Sequence, residues 1–210
     1  MQGRPTRLAP TLGAQSPGAF VRGGRVHILM LNYEFPPLGA GGSTSTFNLA
    51  RNIVALGHKV DMVTMGFRGI PNEEVMDGIR VYRVPSVRAR REVCHTHEMA
   101  TYVLSGTLKA AQLATRNRYD LANAHFIFPT GPIAYAIRRL RGLPYVLTAR
   151  GSDVPGHNPN RFRFDHQLLR PVWRSLVQDA DAVVAVSRHL AGRIEESAPG
   201  VSVQTIPNGC

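Results

Sequence analysis

The chain has 210 residues, 43% of them hydrophobic, with two cysteines and a formal net charge of +11. That length allows one sizeable core or at most two small ones, and no apolar run approaches the ~18 residues of a membrane span. Cys94 and Cys210 cannot build a disulfide framework and stand at no metal-ligand spacing, which fits a reducing, cytoplasmic location.

The first 24 residues are rich in Pro, Gly and Ala, lack an apolar signal core and read as a disordered leader. Setting aside the leader's three arginines (Arg4, Arg7, Arg22) still leaves a net charge of +8 over residues 25–210. Nucleic acid, an anionic membrane surface and a phosphorylated ligand are the partners such charge favours. Two lysines against 23 arginines also fit a compositional skew that needs no partner.

From Arg25 onward, short apolar runs alternate with helical patterns. "VHILML" opens the series and leads through "NYEFPPLGAGGS" into a helical pattern over Thr44–Leu56. Phe47, Leu49, Ala50, Ile53, Val54 and Leu56 form its apolar face, and Gly57 is its stop. "KVDMVTM" and "IRVYRV" follow, then helical patterns over 97–116, 131–140, 164–178 and 187–197, separated by "LANAHF", "PYVLTA" and "DAVVAV"; "VQTIP" closes the chain. Near-continuous apolar strands spaced by helices predict an α/β fold: a doubly wound, mostly parallel sheet flanked by helices, Rossmann-like, over residues 25–210. Ligands of such sheets bind beyond the carboxyl ends of the strands, so the chemistry should lie there.

After the first strand, Gly39, Gly41 and Gly42 permit positive φ and close approach of a ligand. Ser43 and Thr44 suit an N-cap, behind which free amides would hold a phosphate or a polarised sugar oxygen. The dinucleotide fingerprint fails because Thr44 stands where its third glycine should be, and no Gly-Lys-Ser/Thr follows to make a P-loop. A ligand-free turn stays open as an alternative.

His125 ends the "LANAHF" strand among aromatics, where it either meets a sugar hydroxyl or handles a proton, or is a satisfied core residue. In "TARGSDV", Arg150 suits a phosphate or carboxylate, and Asp153 either accepts from sugar hydroxyls or caps the next turn beside an ion pair. Ser187 reads as an N-cap; the nucleophile-elbow pattern is absent. "CHTHE" (Cys94, His95, His97, Glu98) has no second pair at zinc spacing, so no metal is expected. "RARR" (Arg88, Arg90, Arg91) and "RRLR" (Arg138, Arg139, Arg141) read as solvated faces that could rest on anionic lipid. No basic–aromatic interleaving supports nucleic-acid binding.

Taken together, "ILMLNYEFPPLGAGGSTSTFNLARNIVALGHKVDMVT", "HFIFPTGP", "PYVLTARGSDV", "ADAVVAVSRHLAGRI" and "IPNGC" resemble the N-terminal domain of retaining glycosyltransferases of family 4, which have the GT-B fold. The resemblance implies transfer of a sugar from a nucleotide-sugar donor to a hydroxyl acceptor, in cell-envelope or glycan biosynthesis, without metal or other cofactor. It places Gly41 and Gly42 near the donor diphosphate, His125 in the cleft against the transferred sugar, and Arg150 and Asp153 on the acceptor side. Asn208 and Gly209 match the segment leading into the second domain. That domain, which carries the donor-binding residues, would begin where this chain stops, so the chain is expected to be inactive alone. The expected associations are a missing C-terminal domain or a split partner, with peripheral attachment at the inner membrane face as a further option. The alternative is a non-catalytic Rossmann-like module docking on a protein or membrane.

Overall fold

The computed structural model describes residues 24–156 and 163–209, with the backbone alone for 163–168. The predicted leader, apart from Gly24, and Cys210 lie outside the described residues. Thirteen elements follow in order: β1 (His27–Leu31), α1 (Gly41–Ala55), β2 (Lys59–Met65), β3 (Glu73–Met76), β4 (Ile79–Val84), α2 (Thr96–Arg116), β5 (Leu121–His125), α3 (Ile127–Arg141), β6 (Tyr145–Ala149), α4 (Arg163–Asp179), β7 (Ala182–Ala185), α5 (Arg188–Ser197) and β8 (Val203–Thr205).

The strands form one sheet in the order β3-β4-β2-β1-β5-β6-β7-β8. All neighbours are parallel except β3 and β4. The chain winds outward in one direction from β1 through β2 and β4, then returns and runs the other way through β5, β6, β7 and β8. The expected doubly wound sheet is therefore present, and its switch point lies between β1 and β5.

Side chains alternate across the strands, so each strand feeds two cores. Met30, Val60, Met62, Ile79 and Val81 pack with Ala50, Phe47 and Ile53 of α1 on one face. Leu29, Leu31, Val63, Ala124 and Leu147 join Tyr102, Ile133 and Trp173 of α2, α3 and α4 on the other. Asn123, His125, Val146, Thr148 and Val184 fall on the α1 face by this alternation, beyond the part of the sheet that α1 covers.

Strand β3 was not among the expected elements. Its sequence, Glu-Glu-Val-Met, is half charged, and as an antiparallel edge strand it needs no apolar run. Asp77-Gly78, with φ of 48° and 80°, closes the two-residue hairpin to β4 and is the signal that reveals it. Helix α3 begins earlier than the 131–140 pattern suggests, but it is interrupted at Phe128 (φ −114°, ψ 138°) and becomes regular only beyond it.

Candidate active site

Helix α1 starts at Gly41, two residues before the expected cap. Ala40 is its N-cap, with no side-chain hydrogen bond, while Ser43 is buried in the first turn and its amide donates to the Ala40 carbonyl at 3.0 Å. Ser43 is therefore not a cap.

The three glycines do different work. Gly39 has φ +86°, and a Cβ there would lie 2.7 Å from Glu34 atoms; its amide donates to the Arg91 carbonyl at 2.9 Å. Gly39 is thus a packing residue of the turn. Gly42 has no positive φ; a Cβ there would meet the Phe126 ring at 2.9 Å. Gly41 alone keeps the open aspect expected of a ligand turn, exposed and with nothing within 4 Å of a Cβ position. At the positive end of the α1 dipole, the Gly41 backbone is where an anion would sit.

The long lead-in to this turn is structural. Tyr33 enters the core under α2 and α3, whereas Phe35 enters the core under α1. Arg88, expected on a solvated face, is buried: its guanidinium donates to the carbonyls of Tyr33, Arg90 and Arg91 and lies 3.6 Å from the Glu34 carboxylate. Four carbonyl and carboxylate acceptors offset the cost of burying that charge. Arg138 is likewise paired, with Asp179 and Asp181. Arg88 is thereby withdrawn from the solvated face, whereas Arg138 keeps a partly exposed side chain. The "CHTHE" cluster is a helix start, in which the Glu98 carboxylate accepts from the amides of His95 (2.7 Å) and Ala89 (2.8 Å). No metal-binding cluster occurs among the described residues.

His125, at the carboxyl end of β5, is fully buried. Its ring is not turned into hydrocarbon: Arg150 Nη2 donates to Nδ1 at 2.8 Å. A guanidinium carries only donors, so Nδ1 must be the acceptor. The ring proton therefore sits on Nε2, which is buried and has no hydrogen-bond partner among the described residues. Burial, reinforced by the Arg150 charge, holds the His125 pKa well below its usual value. At neutral pH His125 is a neutral ring offering one N–H, not a base awaiting a proton.

Arg150 links the strand ends. Nη1 donates to Ser45 Oγ (2.7 Å) and Asn208 Oδ1 (2.6 Å), and Nη2 donates to Thr46 Oγ1 (3.2 Å). Ser45 donates in turn to Asn208 at 2.9 Å, and Asn32 to Thr46 at 2.9 Å. One guanidinium thus joins the ends of β5 and β6, the first turns of α1 and the chain after β8. Gly209 follows in an open position. Ser45, Thr46 and Asn32 were not expected here; the repeated hydroxyls of "GGSTSTF" were the available signal.

Asp153 takes the capping role of its two readings. Oδ2 accepts from the Ile127 amide (2.7 Å), and Oδ1 from the amides of Arg150 (3.0 Å) and Gly151 (2.8 Å). Burial raises its pKa against the pull of these amides. Phe126 is held at φ +68°, unusual for a bulky residue. Asp153 on Ile127, together with Thr130 Oγ1 on the His125 carbonyl (2.8 Å), pins that turn. Asp153 therefore positions the turn that carries His125. Below Arg150, between α1 and the uncovered strands, runs a cleft of about 510 Å³ lined by Asn48, Asn52, Asn123, Thr148 and Asn208 among others.

The doubly wound, Rossmann-like sheet is shared with known glycosyltransferases. The Glycosyltransferase Family 4 profile matches residues 39–210, and the chain belongs to that family. It is 25% identical over 187 residues to an uncharacterized glycosyltransferase of Methanocaldococcus jannaschii, covering 87% of this chain and 46% of the relative. It is 29% identical over 177 residues to 2-deoxystreptamine N-acetyl-D-glucosaminyltransferase of Streptomyces fradiae, covering 79% and 41%. Among solved structures it matches sucrose-phosphate synthase from Thermosynechococcus elongatus with a TM-score of 0.65 and 16% identity, over 89% of this chain and 49% of that one. That likeness shows the GT-B half-fold. The chain spans less than half the length of these proteins.

Proposed function

We propose that the chain forms the acceptor-side half of a retaining glycosyltransferase, moving a sugar from a nucleotide-sugar donor to a hydroxyl acceptor. The observation that carries this reading is the convergence, at one switch point, of the open α1 start at Gly41 with His125, Arg150 and Asn208. Backbone amides at Gly41 would stabilise the leaving diphosphate. His125 would donate from Nε2 to an oxygen of the transferred sugar, with Arg150 and Asp153 holding its ring and its turn. Most donor contacts would come from a second domain after Asn208 and Gly209, a reading supported by the greater length of the relatives. Alone, the chain would neither hold a donor tightly nor turn it over.

Calorimetry tests the division of labour. Titrating the 210-residue chain with UDP-N-acetylglucosamine and with GDP-mannose should give no tight binding; a micromolar constant for either would refute the assignment of donor contacts to a second domain. In the complete protein, His125→Ala should lower sugar transfer by about 10²-fold or more if the ring meets the reacting sugar. An unchanged rate would remove His125 from the mechanism.

A further inference from the structure

Beside the His125–Arg150 network lies a second cavity, of about 320 Å³, on the α2–α3 side of the sheet. Its walls come from the two turns that carry the candidate site and from α2. Phe128 and Pro129 follow His125, Ser152 and Asp153 follow Arg150, and Met99 and Val103 close it from the helix. The Asp153 carboxylate is already committed to the amides of Ile127, Arg150 and Gly151, so its charge is satisfied within the protein. The remaining surface is overwhelmingly apolar.

Outside the cavity, α2 carries an exposed apolar stripe. Ala100 lines the cavity, and Leu104 and Leu108 follow on α2 at four-residue spacing, which places all three on one stripe. Leu104 and Leu108 are 69% and 67% exposed. From Ala100 to Leu108 the helix adds about 12 Å of length. A cavity that shares Ala100 with such a track suits a chain better than a ring. A bare sugar is disfavoured, because its hydroxyls would lose water to walls that offer few partners. The volume lies at the lower end of the ~300–1,000 Å³ of small-molecule sites.

We propose that this cavity and stripe form a subsite for an alkyl chain, and that the acceptor is an amphiphile whose hydroxyl head lies over the ends of β5 and β6. That the alkyl ligand is the acceptor rests on the glycosyltransferase reading; that the site takes an alkyl chain rests on the cavity alone.

The test is a titration of isotope-labelled full chain with n-octyl β-D-glucoside below its micellar concentration, alongside glucose. Octyl glucoside should saturably shift the amide resonances of Met99–Val103 and of Phe128, Thr130 and Gly131, while glucose at equal concentration should leave them unmoved. Ala100→Trp, at an exposed helical position, fills the mouth and should weaken octyl glucoside binding at least tenfold. The proposal is overturned if the wild-type chain shows no saturable shift, or if glucose acts as well as its alkyl derivative. Shifts scattered over Leu56, Leu140 and Ile206 would likewise overturn it, as would wild-type affinity in a folded Ala100→Trp chain. Should that variant not fold, the octyl-against-glucose comparison decides. Failure here leaves the glycosyltransferase reading intact, since that reading answers to sugar transfer by the complete protein; absence of transfer would leave alkyl binding measurable.

Discussion

Arg150 donating to His125 Nδ1 determines where the imidazole carries its proton, and the consequence is measurable by imidazole ¹⁵N resonances. The wild-type chain should show the neutral, Nε2-protonated ring at pH 7. Arg150→Met removes the donor while keeping an unbranched side chain, and should let the second tautomer appear. Arg150→Lys should largely restore the first. Asn208→Ala, which cuts only the arm toward the chain after β8, should leave the tautomer as it is. If Arg150→Met leaves it unchanged as well, the contact does not set the ring.

The same residue gives a pH dependence. His125 is held neutral by burial first and by the Arg150 charge second, so its folded pKa lies below the unfolded value of about 6.5. Below that pH the unfolded chain takes up a proton that the folded chain refuses. Stability is therefore full above about 6.5 and is lost as pH falls toward the folded pKa, at up to ~1.4 kcal/mol per pH unit for one proton. Urea unfolding at pH 7.5 and 5.5 should show a larger loss for the wild type than for His125→Gln. Equal losses would mean that the ring titrates normally.

At the scale of elements, the β3–β4 hairpin depends on a turn that only Asp77 and Gly78 make easy. Gly78 has φ +80°, and a Cβ there would approach Val54 Cγ1 of α1 at 2.8 Å. Gly78→Ala meets both the left-handed strain and that contact, and should destabilise the chain by about 1–2 kcal/mol in urea titrations. Gly57 also has positive φ but has nothing within 4 Å of its Cβ position. Gly57→Ala should therefore cost less than Gly78→Ala, and the reverse order would refute this account of the hairpin.

Across the whole molecule, burial separates residues that look alike in the sequence. Cys94 lies in the core beside Met65 and Arg88, and desolvation pushes its thiol pKa up to about 12. In a Cys210→Ser background, thiol labelling should follow global unfolding across a denaturant series. Rapid labelling in native buffer would show that the segment before α2 opens by itself.

Much of this arrangement was legible beforehand because apolar periodicity and turn chemistry are local. The parallel sheet, five helices at nearly their expected places, and strand ends bearing His125, Arg150 and Asn208 all follow from residues close together in the chain. The family resemblance rests on the same local segments. Partners were a different matter. Nothing near Arg88 says that it will fold under Tyr33 and Glu34, and nothing near Asp153 says that its carboxylate will hold the amide of Ile127, 26 residues earlier. Ser45 and Asn208 meet Arg150 across 105 and 58 residues of sequence. Only the sheet order, which sets β1 beside β5 and β6 beyond it, brings these groups within hydrogen-bond range. Hydrophobic pattern along the chain thus determined the kind of fold and the edge on which the candidate residues lie. Tertiary packing decided which polar groups on that edge bind one another and which nitrogen of His125 carries the proton, because pairing depends on distances that strand order sets.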